Sequence, residues 1–579
     1  MFLAPLLPAL TFLSVGPFNL ISTPIHPPRC HTQPGDPDWP SPEEWSALNT
    51  SIGGRLVQVV PSASACAPDM LNCTEAQWSS ANFRRGIPGQ MLEYNWEQDF
   101  SVHPPELCLR NTTHCAQGNV PLYAVNATTV QHVQAGVAFA ARHFLRTAVK
   151  SSGHDYLGRS TAKHALLLWT QYMKNITFTD AFSVGGKNTG AAATLGSGVG
   201  LREIYAAAGE RGQVVVGGTA ATVSVGGDYV QGAGHSGLSP FLGLAADNVL
   251  QFEIVLADGS AVVVNEVSHP DLFWALRGGG AGNWGVITSI TIRTFPAFLT
   301  TLHSVNISFA SYAQAAHAMR THAEHIGDWD AARAGQYFYL SVAPSMGPEA
   351  SVLLLNTVFP NATADVASAL VKPFVDDVLA LGASILAEGT VSAALPGAIL
   401  GLPDDVGGTG TLMGSRLIPA EVYASEEGRT EVERAYVELL ELGVPSILGH
   451  LVAGGKVAEN AHVHSAIHPG WRTAKTHMIA VQNLPETFTP SGVENAWNMI
   501  THRAVPVLAR LAASSSIDGN AAYSNEADVR EPDFQAVFYG RANYARLEAV
   551  KRRYDPTDMW IVRAGVGSER WNEDGMCAL

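Results

Sequence analysis

Charge is sparse in this chain, and basic charge is scarcer still. Only 15% of the residues are charged, and 35 basic against 51 acidic side chains leave a formal net charge of −16. A surface of that sign repels phosphate backbones and anionic membranes over the screening distance, so no nucleic-acid partner is expected. The same acidity would also simply keep an extracellular protein soluble. After the first twenty or so residues no long apolar run follows, and no membrane span is expected once that segment is removed. Compact Cys/His pairs of zinc-finger spacing are missing, and no metal site is expected. The one dense histidine cluster is HVHSAIH at 462–468. On a strand His462 and His464 would share a face, but without a nearby carboxylate or cysteine they read as surface or core residues.

What the chain does have is 46% hydrophobic residues and 55 glycines over 579 positions. That is a globular composition, too long for one ordinary domain, and it predicts two lobes. The opening MFLAPLLPALTFLSVGPFNLIS is apolar but broken by Pro5, Pro8 and Pro17, and reads as a signal peptide over 1–22. It lacks a basic start, and a buried N-terminal arm is the lesser alternative. Secretion, or passage into a secretory or vacuolar lumen, is supported by Asn-x-Ser/Thr sequons at Asn49, Asn72, Asn111, Asn126, Asn175, Asn306 and Asn361, which predict N-linked glycans. Six cysteines point the same way, five of them before residue 120. Local pairing of Cys66 with Cys73 and Cys108 with Cys115 fits the spacing and leaves Cys30 and Cys577 as a clasp between the termini, although spacing alone does not fix the connectivity.

Residues 23–114 are rich in Pro, Ser, Asn and Cys and predict an irregular extension around short helices. Beyond it, NATTVQHVQAGVAFAARHF has helical periodicity, and TAVK leads as a strand into the turn SSGHDYLGRST. A second glycine-rich passage follows a helix-like LREIYAAAGERG: the strand QVVVGG, then TAATVSVGGDYVQGAGHSGLS, then two strands turning at Asp258-Gly259. Glycine removes the Cβ and frees φ, so two such turns flanking one apolar core can bring a nest of N–H donors close to a pyrophosphate.

These segments, with DLFWALRGGGAGNWGVIT and the C-terminal YSNEADVREPDFQAVFYGRANYARLEAVKRRYDP, resemble the berberine-bridge-enzyme-like branch of the vanillyl-alcohol-oxidase (PCMH-type) FAD-linked oxidoreductases, and within it fungal secreted proteins of the isoamyl-alcohol-oxidase type. The resemblance implies an α+β fold: a two-subdomain FAD-binding lobe at 115–300, an α+β substrate lobe with an antiparallel sheet at 301–515, and a terminal segment, 516–579, completing the first lobe. It implies FAD bound covalently through His154. Ser151, Ser152, Gly153, Asp155, Tyr156 and Gly158 would line the diphosphate with Gly217, Gly218, Thr222, Gly226 and Gly227, while Gly285, Val286 and Ile287 would reach the adenosine end. Asn543 and Tyr544 would approach the flavin, and Tyr539 would pack.

Three departures bear on function. Ala220 stands where doubly linked members carry cysteine, so the link should be to histidine alone; Leu242 replaces a tyrosine and Asp228 a histidine common in plant relatives. Hydride transfer from an alcohol needs a group to take the hydroxyl proton. Tyr523 is the first candidate, with Asn525 two residues on and expected on the same face of a strand. Arg416, Trp471 and Arg472 could meet substrate, although arginine is usually found at the surface. The expected reaction is oxidation of a small alcohol or secondary-metabolite hydroxyl, with dioxygen as acceptor and hydrogen peroxide as product. Desaturation or oxidative cyclisation in a biosynthetic pathway, and a catalytically silent flavin-binding protein, are the alternatives.

Overall fold

Three large sheets, a two-stranded pair of Gln213–Val214 with Phe295–Pro296, and their helices organise the computed structural model, which describes residues 30–579 apart from 111, 113, 401–403, 485–487 and 514–519. The expected signal peptide and the sequon at Asn111 therefore lie outside the described residues. The fold is α+β.

The first sheet has four strands in the order Leu56–Gln58, Tyr123–Asn126, Leu166–Trp169, Thr147–Lys150, the last three parallel. Helix Val130–His143 connects two of the parallel strands and buries Val133, Val137 and Ala140 at helical spacing. The helix Pro42–Ser51, started by a Ser41/Glu44 capping box, packs against it, with the Trp45 and Phe139 ring centroids 4.7 Å apart. The N-terminal segment is thus less irregular than its composition suggests. Leu56–Gln58 forms an edge strand antiparallel to Tyr123–Asn126, and Trp78, Tyr94 and Trp96 enter the core of the other lobe. Pairing and burial supplied by distant residues override a weak local pattern.

The second sheet is antiparallel, in the order Ile176–Val184, Lys187–Gly196, Val286–Arg293, Val249–Val255, Ala261–Val264. Its last two strands turn at Asp258-Gly259, where Gly259 adopts a φ of +80°. The expected strand QVVVGG shrinks to Gln213–Val214.

The third sheet has seven antiparallel strands, ordered Ser384–Ala393, Thr300–Phe309, Ser351–Pro360, Gly335–Val342, Ser446–Leu451, Ala474–Asn483, Thr411–Pro419. Period-two alternation divides its faces. Phe338, Leu340, Ile447, Leu451, Met478 and Ala480 join helices Tyr312–Ala331, Ala364–Ala380 and Glu426–Glu441 in one core, while Tyr337 and Tyr339 turn to the core shared with the second sheet. That second face becomes one wall of the site.

The C-terminal segment packs back on the first two sheets. Thr147 Oγ1 donates to the Met559 carbonyl at 2.8 Å, and Lys551 Nζ, from helix Arg541–Tyr554, donates to the Asn283 carbonyl at 2.9 Å. Disulfides join Cys30 to Cys577, Cys66 to Cys73 and Cys108 to Cys115. No helix among the described residues is long and apolar enough to cross a membrane.

Candidate functional site

A cavity opens where the turn after Thr147–Lys150 meets the segment 220–231, the strand start near Gly285 and the C-terminal residues 523–526. Ser151, Ser152, Gly153, His154, Asp155 and Tyr156 line it from one side, Gly226, Gly227 and Asp228 from another, and Gly285 and Ile287 from a third. The first turn is fixed from below by Lys150, a buried amino group that donates to the carbonyls of Ile87, Pro88 and Gln90; burial holds it down to about 7. Gly153 takes a φ of +85°, and a Cβ there would lie 2.7 Å from the Lys150 side chain, so glycine is required.

His154 sits within this cradle. Its Nε2 is 2.5 Å from Thr222 Oγ1 and 3.9 Å from Asp405, and burial holds the ring down to about 4, so it is neutral at ordinary pH. The Thr222 side chain thus contacts His154 and is not among the residues that line the cavity. Asp155 lines the cavity, but its carboxylate is committed to Arg159, whose Nη2 also reaches Asp228 at 2.5 Å and the Asn525 Oδ1 at 3.3 Å. One guanidinium thus ties both turns to the C-terminal segment.

Several expected residues lie elsewhere. Gly158 faces away, with Trp96 and the Arg563 guanidinium where its Cβ would be. Gly217 and Gly218 pack under Tyr205, whose hydroxyl donates to the Gly218 carbonyl at 2.8 Å. Val286, between two cavity residues on one strand, points into the opposite core by strand alternation. Asn543 donates to the carbonyls of Ala466 and Ile467, and the Tyr544 hydroxyl binds Glu569, so Asn543 ties down the 466–467 segment and Tyr544 the C-terminal coil, and neither lines the cavity. Tyr539 packs, donating to the Ala564 carbonyl at 2.9 Å. Arg416 is buried against Glu531 and Asn520, and Arg472 forms a two-pronged pair with Asp247; neither is a surface residue nor free for substrate. The histidines at 462 and 464 share no strand: His462 caps the Glu459 carbonyl and His464 meets Arg546.

Tyr523 and Asn525 do come together, though not on a strand. The Glu526 N–H donates to the Tyr523 carbonyl at 3.0 Å, closing a turn, and Asn525 Nδ2 donates to the Tyr523 hydroxyl at 2.8 Å. Next to them Glu526 borders the cavity and faces a group of side chains that the motifs did not reveal. His235 Nε2 is 3.2 Å from Glu526 Oε2, and His477 Nδ1 is 3.4 Å from the same oxygen. His450 lies beside them, its ring centroid 5.3 Å from that of His235. Trp471 and Tyr523 pack edge to face, 5.5 Å apart, closing this wall. The signal was in the strand register: Tyr337, His450 and His477 are directly opposite one another on three adjacent strands, a row legible only once pairing is known.

Comparison with known proteins settles the class. Residues 121–265 match the family model "FAD binding domain" and residues 522–567 match "Berberine and berberine like". An uncharacterized FAD-linked oxidoreductase of Arthroderma benhamiae is 34% identical, with 95% of this chain and 96% of that one covered. The FAD-linked oxidoreductase notD of an Aspergillus species is 35% identical, covering 95% and 90%. The crystal structure of the VAO-type flavoprotein MtVAO615 from Myceliophthora thermophila C1 superimposes with a TM-score of 0.83 at 30% identity, over 95% of this chain and 100% of that one. The chain belongs to the berberine-bridge-enzyme-like branch of the vanillyl-alcohol-oxidase family. It is an FAD-dependent oxidoreductase.

The cradle of this flavoprotein fits FAD on its own evidence. Close packing requires glycine at 226 and 285, where a Cβ would lie 3.0 Å from the Ser197 backbone and 2.4 Å from the Val255 carbonyl, and it leaves both backbones bordering the cavity. Ser224 Oγ, which lines the cavity, is buried with no partner in the protein, as a polar atom facing a cofactor would be.

Proposed function

We propose that this flavoprotein oxidises an alcohol, either a small one or the hydroxyl of a secondary metabolite, using FAD held covalently through His154 and dioxygen as the final acceptor, with hydrogen peroxide formed. The observation that carries this reading is the Glu526 carboxylate at the cavity edge beside Tyr523 and the histidine wall. FAD, when bound, supplies the acceptor for the substrate hydride.

Glu526 is the group suited to receive the hydroxyl proton. Burial alone would push its carboxyl up, but the charge interaction with His235 and a hydrogen bond from that ring outweigh it, holding Glu526 down to about 2. It is therefore ionised throughout the working pH range, a ready hydrogen-bond acceptor but a weak base, so the hydroxyl proton passes to it only as the hydride leaves. Tyr523 is the second candidate: burial raises its hydroxyl well above its ordinary value, so it stays a hydrogen-bond donor, now turned to the Tyr229 carbonyl at 3.5 Å and free to turn from that long contact to a substrate oxygen, itself oriented by Asn525. At the other end of the cavity, neutral His154, with Nε2 engaged by Thr222, keeps Nδ1 for the flavin bond. Ala220 lines the cavity from the second turn and offers no sulfur, so the link is single.

Secretion and N-glycosylation belong to the same proposal. They are supported by three disulfides and by the exposure of Asn72, Asn175 and Asn361, while Asn49, Asn126 and Asn306 are partly buried. The deciding experiment is acid precipitation of the purified protein and of a His154→Ala variant, followed by peroxide detection with a panel of alcohols. Flavin retained by the parent and released by the variant, with peroxide formed, supports the reading. Flavin released by both would remove the covalent link, and dye reduction without oxygen consumption would replace oxidase by dehydrogenase.

A further inference from the structure

His235, His450, His477 and Glu526 meet on the wall beside the cradle, and the oxidation reading gives no part to His450 or His477. We propose that these four side chains are a binding site for a divalent transition-metal ion, of the class of Zn2+ or Cu2+. The ligand atoms of His235, His450 and Glu526 lie within 4.8 Å of one another, the only such group found among the described residues. Two of the contacts already have the spacing a metal demands. Tetrahedral ligands at about 2.0 Å from zinc are about 3.3 Å apart, and Glu526 Oε2 is 3.2 Å from His235 Nε2 and 3.4 Å from His477 Nδ1.

The outer contacts orient the rings as they do around bound metals. His450 donates Nδ1–H to the Gly449 carbonyl at 2.8 Å and so presents Nε2 as a lone-pair donor. His235 engages the Tyr337 hydroxyl through Nδ1 at 3.2 Å and presents Nε2 to the cluster. His477 is fully buried, and neither of its ring nitrogens makes a hydrogen bond. Buried imidazoles rarely go unsatisfied, and a coordinated ion would use one of these nitrogens. Three imidazoles and one carboxylate favour Zn2+ or Cu2+ over Ca2+ and Mg2+, which require mostly oxygen ligands.

Binding does not depend on the proposed reaction, but its consequence does. An ion on Glu526 occupies the lone pairs that would take the substrate proton, so the metal acts as a reversible inhibitor. The test uses the flavin-loaded enzyme, dialysed against EDTA and then titrated with Zn2+ alone, with bound zinc measured per flavin after desalting. The expected result is one zinc per flavin, with His450→Gln and His477→Gln each weakening Kd by at least about 100-fold, and the exposed His462→Gln leaving it unchanged. Zinc well below one per flavin, or variants that bind as the parent does, overturns the proposal. Should the variants fail to fold, Co2+ added to the parent enzyme decides. Intense visible bands to the red of the flavin support four-coordinate binding, and weak bands overturn it. These readouts are independent of turnover, so they stand apart from the fate of the alcohol-oxidation reading.

Discussion

The glycine-lined cradle around His154 and the histidine wall around Glu526 border the same cavity, but they are made in opposite ways. The cradle is built from short stretches in which the chain's own turns place backbone near the cofactor, and its chemistry is mostly that of missing side chains. The wall is built from side chains, with His235, Tyr337, His450, His477 and Glu526 each brought from a different segment. A cradle of that kind tolerates no added atom, whereas a wall of side chains tolerates loss of one member structurally and loses chemistry instead.

The comparison can be broken most severely at Gly285. Its φ of +146° and the 2.4 Å approach of a Cβ to the Val255 carbonyl mean that Gly285→Ala costs about 1–3 kcal/mol in backbone strain and displacement. The expected outcome is a protein purified with most of its flavin missing, read from the ratio of flavin to protein absorbance and from a lowered Tm. Glu526→Gln probes the other wall. It should keep flavin content and Tm while lowering kcat/KM by about 10²–10⁴, the contribution of a general base; an unchanged kcat/KM would move the proton to another acceptor.

Two smaller effects sharpen the contrast at His154. Thr222→Ala removes the hydrogen bond at Nε2 and should slow covalent attachment about tenfold, the equivalent of one hydrogen bond, when flavin-free protein is incubated with FAD and sampled by acid precipitation. The pH dependence of that attachment should be nearly flat. A histidine at its ordinary value, near 6.5, would be only about 3% neutral at pH 5. Burial lowers His154 to about 4, so its neutral form persists as pH falls to about 5, and the rate should change by less than about twofold between about pH 5 and 8. A steep fall below about pH 6.5 would show that the ring is not desolvated.

Much of the cradle is legible in the amino-acid sequence. Gly153, His154, Gly226, Gly227, Gly285 and Ile287 all line the cavity because the motif that names them is a local conformation, set by glycine and by the strand preceding it. The expected residues that lie away from the cavity do so for identifiable reasons. Val286 is turned away by strand alternation, Gly158 and Gly217 serve close packing against Trp96 and Tyr205, Asn543 holds the 466–467 segment and Tyr544 the C-terminal coil. Tyr523 and Asn525 meet through a turn and not the strand that period two suggested.

By itself the sequence determined the class of cofactor, the attachment residue proposed for it and the alternation that gives each strand two faces, because all of these reside in contiguous residues. Only the tertiary structure decided that His450 and His477 stand opposite each other beside His235 and Glu526, and that Arg159 links Asp155 to Asp228 and Asn525. Strand register and lobe packing are set by burial summed over the whole molecule, and no local pattern of residues records where that sum will bring distant side chains together.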